Sequence, residues 1–194
     1  MSKICTTKSI RRILFLMFAM VILFGGTTQV HAAGKKSVKK AYQKILTSSA
    51  LKGGKFAVKD INGDGIKELL TWDDYYAVPH AFYTYYKGKV HRLYDEEYQN
   101  TICYNSFHIY YDSKNKWLVG DNSGTTEMYI CYKIKKGKAV FKRRYAYDLG
   151  EYRFVLWTPK KMKPISEEQF KAYGNSLTEI KPHANTKKNR AKYL

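Results

Sequence analysis

From Lys55 to Trp157 the chain is a nearly continuous series of short segments rich in Tyr, Val, Ile, Phe and Thr, each bounded by a turn bearing Gly, Asn or Asp. Such side chains suit a pleated, half-buried surface, and the turn residues accept the backbone angles of tight reversals. The pattern therefore commits the middle of the chain to antiparallel hairpins. Alternation predicts strands near 55–59, 66–72, 79–86, 89–94, 101–111, 116–121, 126–134, 139–147 and 151–157. Lys87-Gly88, Lys114-Asn115 and Lys136-Gly137 are the expected hairpin turns. Their spacing is too irregular for a propeller or a solenoid.

Helices are expected on either side of the strands. Between Lys35 and Leu51, Val38, Ala41, Tyr42, Ile45 and Leu46 recur at helical spacing, and Gly53-Gly54 follows as a stop. Near the other end, Ser166 and Gln169 form a capping-box pair, with Ile165 and Phe170 at the two staple positions and Tyr173 and Leu177 continuing the apolar face. The fold class expected is α+β: a bent antiparallel β-meander of about eight or nine strands with an N-terminal and a C-terminal helix. One domain over 34–180 carries it, and the polar, basic stretch 181–194 reads as a flexible tail.

The first 33 residues read as an export signal. Lys3, Lys8, Arg11 and Arg12 precede an apolar run from Ile13 to Phe24, and Val30-His31-Ala32-Ala33 supplies small residues for cleavage. The run is too short to cross a bilayer, which takes about 20 residues. The reading is a secreted, extracellular protein with no stable membrane span after cleavage, at home in solution or on the cell wall. In that oxidising compartment Cys103 and Cys131 form an even pair, either bridged or buried as two thiols.

Charge narrows the partners. The chain has 35 basic and 16 acidic residues; 4 of the basic ones fall in the signal, leaving 31 against 16, a net +15. The densest stretches hold Lys133, Lys135, Lys136 and Lys138, then Lys142, Arg143 and Arg144, which are the candidate anion-binding residues. An anionic cell-wall polymer or another extracellular polyanion is the partner such a surface attracts. A surface that merely keeps the protein soluble is the plainer account.

One motif carries recognisable chemistry. Asp60-Ile61-Asn62-Gly63-Asp64-Gly65-Ile66-Lys67-Glu68 places oxygen-bearing side chains at loop positions 1, 3, 5 and 9 and glycine at 6. Calcium takes oxygen ligands from alternate residues of such a turn, with a backbone carbonyl at position 7. An Asn-Gly/Asp-Gly hairpin turn without metal is the simpler alternative. The nonapeptide resembles the first half of the calcium loops of EF-hands and dockerins, but Thr71 stands where an EF-hand has its bidentate Glu, and the flanks look like strands. It is closer to the strand-loop-strand sites of FG-GAP repeats. That resemblance implies Asp60, Asn62, Asp64, Glu68 and the Ile66 carbonyl as ligands of a structural Ca2+. More loosely, the order of helix, loop-bearing hairpin, Tyr-rich meander and capped helix resembles small exported proteins of Gram-positive bacteria, mostly uncharacterised.

No catalytic signature accompanies these features. His80, His91, His108 and His183 lack zinc-site spacing, and there is no nucleophile elbow, P-loop or dinucleotide fingerprint. The expected function is thus non-catalytic: an exported protein with a structural calcium-binding hairpin loop that binds an anionic envelope or extracellular ligand through a basic, Tyr-rich surface. The alternative is a secreted inhibitor or protein-partner-binding module. The 18 Tyr against 9 Phe leave open whether the tyrosines face the core or form an exposed aromatic platform.

Overall fold

The structure, a computed structural model, describes residues 34–73, 79–95, 100–103, 106–121, 128–151 and 153–194. The expected signal segment lies outside the described residues. The chain divides into two compact units, Met1–Ser37 and Val38–Leu194. Of the first, residues 34–37 are described and are helical. The second has the expected α+β character, dominated by antiparallel strands.

In chain order the elements are helix α1 (34–46), β1 (Lys55–Lys59), β2 (Glu68–Trp72), β3 (Pro79–Tyr86), β4 (Lys89–Arg92), β5 (Tyr94–Asp95), β6 (Asn100–Thr101) and β7 (Ile109–Asp112). There follow β8 (Trp117–Asp121), β9 (Met128–Lys135), β10 (Lys138–Asp148), β11 (Arg153–Trp157), β12 (Met162–Pro164), α2 (Glu167–Asn175), β13 (Thr178–Glu179), β14 (His183–Ala184) and α3 (Lys187–Tyr193). Instead of one bent sheet, two sheets form. The first has the order β14-β1-β2-β3-β4 and the second β12-β11-β10-β9-β8-β7-β13, with β5-β6 as a separate pair.

Strand alternation explains the layers. On β1 and β2, Phe56 and Leu69 face one way and join Val38, Tyr42 and Leu46 of α1 in one apolar cluster. Ala57, Leu70 and Trp72 face the other way and meet Leu118, Tyr132, Ile134 and Ala139 of the second sheet in the central core. The far side of the second sheet, with Trp117, Val119, Cys131 and Tyr145, packs against Phe170 and Tyr173 of α2. Because β2 is covered on both faces, all five of its residues are buried. The helix cap forms as its sequence predicts: Ser166 accepts from the Gln169 N–H, and the Gln169 side chain accepts from the Ser166 N–H.

Several expectations are corrected. The strand over 101–111 is interrupted, because the chain turns after β6 and Cys103 adopts φ +55 before β7 begins. The Cys103–Cys131 bridge is absent and both thiols are free and buried. Cys103 belongs to the central core, while Cys131 lies on the α2 side beside the Tyr173 hydroxyl at 3.1 Å. Opposite faces of a sheet keep two side chains from meeting. Burial raises both thiol pKa values, that of Cys131 to about 12, as befits inert packing groups.

The stretch 181–194 is structured rather than a flexible tail. β14 adds to the edge of β1, with Phe56 opposite His183. Asn185 donates from its amide to the carbonyls of Leu46 and Leu51 at 2.7 and 2.8 Å, and Thr186 caps α3 by accepting from the Asn189 N–H. His183 then stacks on Tyr193 with ring centroids 3.7 Å apart. Replacing Asn185 by Ala leaves two helix-end carbonyls without these donors, so it should cost about 1–3 kcal/mol in a urea melt; a loose tail would leave the midpoint unchanged.

Candidate metal loop and basic sheet face

The predicted ligands sit on the connection between β1 and β2, which pair residue for residue from Lys55 with Trp72 to Lys59 with Glu68. Gly63 and Gly65 have φ of +79° and +82°, which lets the backbone reverse within so few residues. Asp60 accepts from the N–H groups of Gly63 and Gly65 at 2.8 and 3.0 Å. Asn62 Oδ1 accepts from Asp64 N at 2.9 Å, and Asp64 Oδ1 accepts from Ile66 N at 2.8 Å. These local bonds draw the oxygen-bearing side chains toward the inside of the turn.

Glu68 closes the loop from the strand side. It is 1% exposed, and one oxygen accepts from Ile61 N at 2.9 Å while the other accepts from Thr84 Oγ1 at 3.0 Å and Asn62 Nδ2 at 3.2 Å. The same Asn62 nitrogen donates to Asp64 Oδ2 at 3.0 Å. A neutral amide thus stands between two carboxylates, one of them buried, and the Ile61 N–H, the Thr84 hydroxyl and the Asn62 amide that bond Glu68 are all uncharged. Burial is the main reason the Glu68 pKa is raised, to about 7, with Asp64 and Asp60 pushing the same way. Among the described residues, no three His, Cys, Asp or Glu side chains converge as a ready-made metal cage. An ion here would have to draw also on the Asn62 amide oxygen and the Ile66 carbonyl. The donor set, oxygen throughout, is of the kind a hard divalent cation takes.

Two residues that sequence reasoning missed support the loop. Thr84 reaches Glu68 from the neighbouring strand β3, a meeting that follows from the register in which Leu69 opposes Tyr83. Tyr42 of α1 donates to the Lys67 carbonyl at 2.9 Å, fastening helix to loop. Neither is visible in the motif, because both depend on which elements become neighbours.

The basic residues divide by strand parity. Tyr132 and Ile134 of β9 face the central core, so Lys133 and Lys135 face the α2 side. Register places Lys138 opposite Lys135, Val140 opposite Lys133 and Arg143 opposite Cys131, putting them on that same side. The register shift between Phe141 and Arg143 absorbs Lys142, and Lys136 occupies the hairpin turn. Arg144 faces the other way, 5.2 Å from the ring of Trp157. The Arg143 guanidinium lies 5.1 Å from the ring of Trp117. α2 contacts Tyr129, Tyr145 and Phe154 at one end of this face, while Lys133, Lys135, Lys138 and Val140 are exposed at the other.

Among the described residues, few tyrosines share that exposure: Tyr94 is 46% exposed, whereas Tyr83, Tyr85, Tyr110, Tyr129 and Tyr173 are half-buried. Tyr42, Tyr111, Tyr132 and Tyr145 are all buried, and their hydroxyls meet polar partners: Tyr132 donates to Asp95, and Arg143 donates to Tyr145. These four belong to the core.

Calcium should raise the melting temperature of the wild-type protein over its value in chelator and should leave Asp64→Ala unmoved, as scanning calorimetry can record. In chelator the folded state holds a proton on Glu68 that the unfolded chain releases near pH 4.5, the ordinary value. Stability should therefore be fully present below that pH and fall as pH rises toward 7, and Glu68→Gln should flatten the decline in urea melts. No family model matches the chain, and neither a curated protein nor a solved structure is significantly similar to it.

Proposed function

We propose that this is an exported, non-catalytic protein, stiffened by a calcium ion in the Asp60–Glu68 loop, that binds an anionic envelope or extracellular polymer through the open half of its larger sheet. The observation that carries the reading is the gathering of Lys133, Lys135 and Lys138, all exposed, on one sheet face beyond the reach of α2, with Arg143 between them and the helix. Alternate residues of a strand stand about 7 Å apart on one face, so the lysines form a row able to follow an extended chain of negative groups. Positive potential also attracts such a chain before contact. The loop has a supporting role: it joins β1 to β2, the strand buried on both faces, and a held cation would offset the charge crowded there. The resemblance to strand-loop-strand calcium sites supports this assignment. No helix among the described residues is long and apolar enough to cross a membrane.

A second reading, a module that binds a protein partner, is favoured by one observation. Trp157 and Met162 oppose each other on β11 and β12 and are 40% and 46% exposed. Large apolar groups side by side at a sheet margin suit a protein interface.

Salt separates the two. Binding to immobilised poly(glycerol phosphate), measured by surface plasmon resonance, should weaken steeply as salt rises, and the triple variant K133E/K135E/K138E should lose at least about tenfold in affinity at low salt. No binding of the wild type at low ionic strength would reject the polymer reading; salt-insensitive capture of a protein, lost in Trp157→Ala, would favour the second.

A further inference from the structure

Where the chain crosses from the larger sheet back to the smaller one, it leaves a gap beside β1. At Ile180 it still belongs to the larger sheet, the Ile180 N–H donating to the Ile109 carbonyl at 2.7 Å. At His183 and Ala184 it pairs with Phe56 and Lys55. Asn185 N donates to the Gly54 carbonyl at 2.8 Å, which fixes the parity of β1: the backbone groups of Phe56 and Val58 are directed to the same outer edge. One step further, the register would set Lys181 opposite Val58. Pro182, with no N–H and a fixed φ, stands between, and among the described residues no backbone group bonds Val58 on that edge. The gap is a cavity of about 110 Å³ bordered by Val58, Lys59, Tyr111, Ile180 and Lys181. Tyr111 and Ile180 are buried and give it apolar walls. The Lys59 ammonium stands 4.8 Å from the Tyr111 ring centroid, and Lys181 is exposed. Glu179 also borders the cavity, with its carboxylate 3.4 Å from His108 Nδ1.

We propose that this cavity receives the free C-terminal end of a peptide, whose last residue takes the place beside Val58 that Lys181 leaves open. The terminal N–H donates to the Val58 carbonyl, and one carboxylate oxygen accepts from the Val58 N–H. Lys59 and Lys181 offset the remaining charge. This is strand addition reduced to a single residue and joined to carboxylate capture. A bare anion suits the place less well, because it would meet the Val58 carbonyl without a donor to offer it. The cavity is smaller than the about 150 Å³ that accommodates benzene, so the terminal side chain is small and not aromatic. The proposal depends neither on the cation loop nor on the basic sheet face.

NMR titration with acetyl-Gly-Gly-Ala tests this, once with its C-terminus free and once amidated. The free acid should shift the Val58 amide resonance and slow its hydrogen exchange. Amidation should weaken binding about tenfold or more, and so should Lys59→Met combined with Lys181→Met, which keeps the apolar stems and removes both charges. Lys160→Met, in the exposed turn before β12, controls for net charge and should bind as the wild type does. Where the double variant fails to fold, Lys181→Met alone serves, since that position is exposed and outside any strand. A Val58 resonance unmoved by the free acid at about 10 mM would overturn the proposal. Equal binding of acid and amide would also overturn it, because the carboxylate then contributes nothing. So would acetate binding as tightly as the peptide, because the strand-like contacts then contribute nothing.

Discussion

A carboxylate that is 1% exposed is the constraint around which the first sheet is arranged. Removing Glu68 from water is unfavourable unless each oxygen finds a donor, and the donors come from two places: the turn (Ile61 and Asn62) and the neighbouring strand β3 (Thr84). Meeting that demand fixes the path of the turn, the register of β2 against β3 and the seat of α1, whose Tyr42 bonds the carbonyl just before Glu68. The acidic loop is consequently part of the interior on one side and open to solvent on the other, the situation in which a bound cation would matter both to charge balance and to packing.

Tyrosine serves the same economy of polar groups. The interior holds several acids, Asp95, Asp112 and Asp121 among them. A ring that fills apolar space and ends in a hydroxyl lets such a core include acids such as Asp95 and Asp112, which accept from Tyr132 and Tyr173. Phe in those places would remove the donors that Tyr132 and Tyr173 supply. Stacking of Tyr145 on Tyr173, with centroids 3.9 Å apart, then ties α2 to β10.

How far this was legible in the sequence depended on whether a feature is local. The Ser166–Gln169 box, the Lys87-Gly88 and Lys136-Gly137 turns and the Asp60–Glu68 reversal are each settled by residues within a few positions, and each forms where its sequence places it. The division into two sheets was not legible, because alternation says that Leu70 and Leu118 are buried without saying that they are buried against each other. Nor was the ordering of 181–194: its lysines suggested a solvated tail, and only contact with distant carbonyls gives Asn185 a reason to be still. For the candidate site the candidate ligand residues were readable, whereas Thr84 and Tyr42 were not, since strand register and helix packing bring them in. Parity sorted the basic residues only once the pairing of β9 with β10 was known; before that, Arg144 looked equivalent to Arg143.

The clasp of β14 on β1 carries a temporal consequence. Leu46 and Asn185, joined by a hydrogen bond, are 139 positions apart, so the first sheet's outer rim cannot close while the intervening stretch is still being delivered. Until then the β1 margin that β14 covers stands bare, open to pairing with a neighbouring chain.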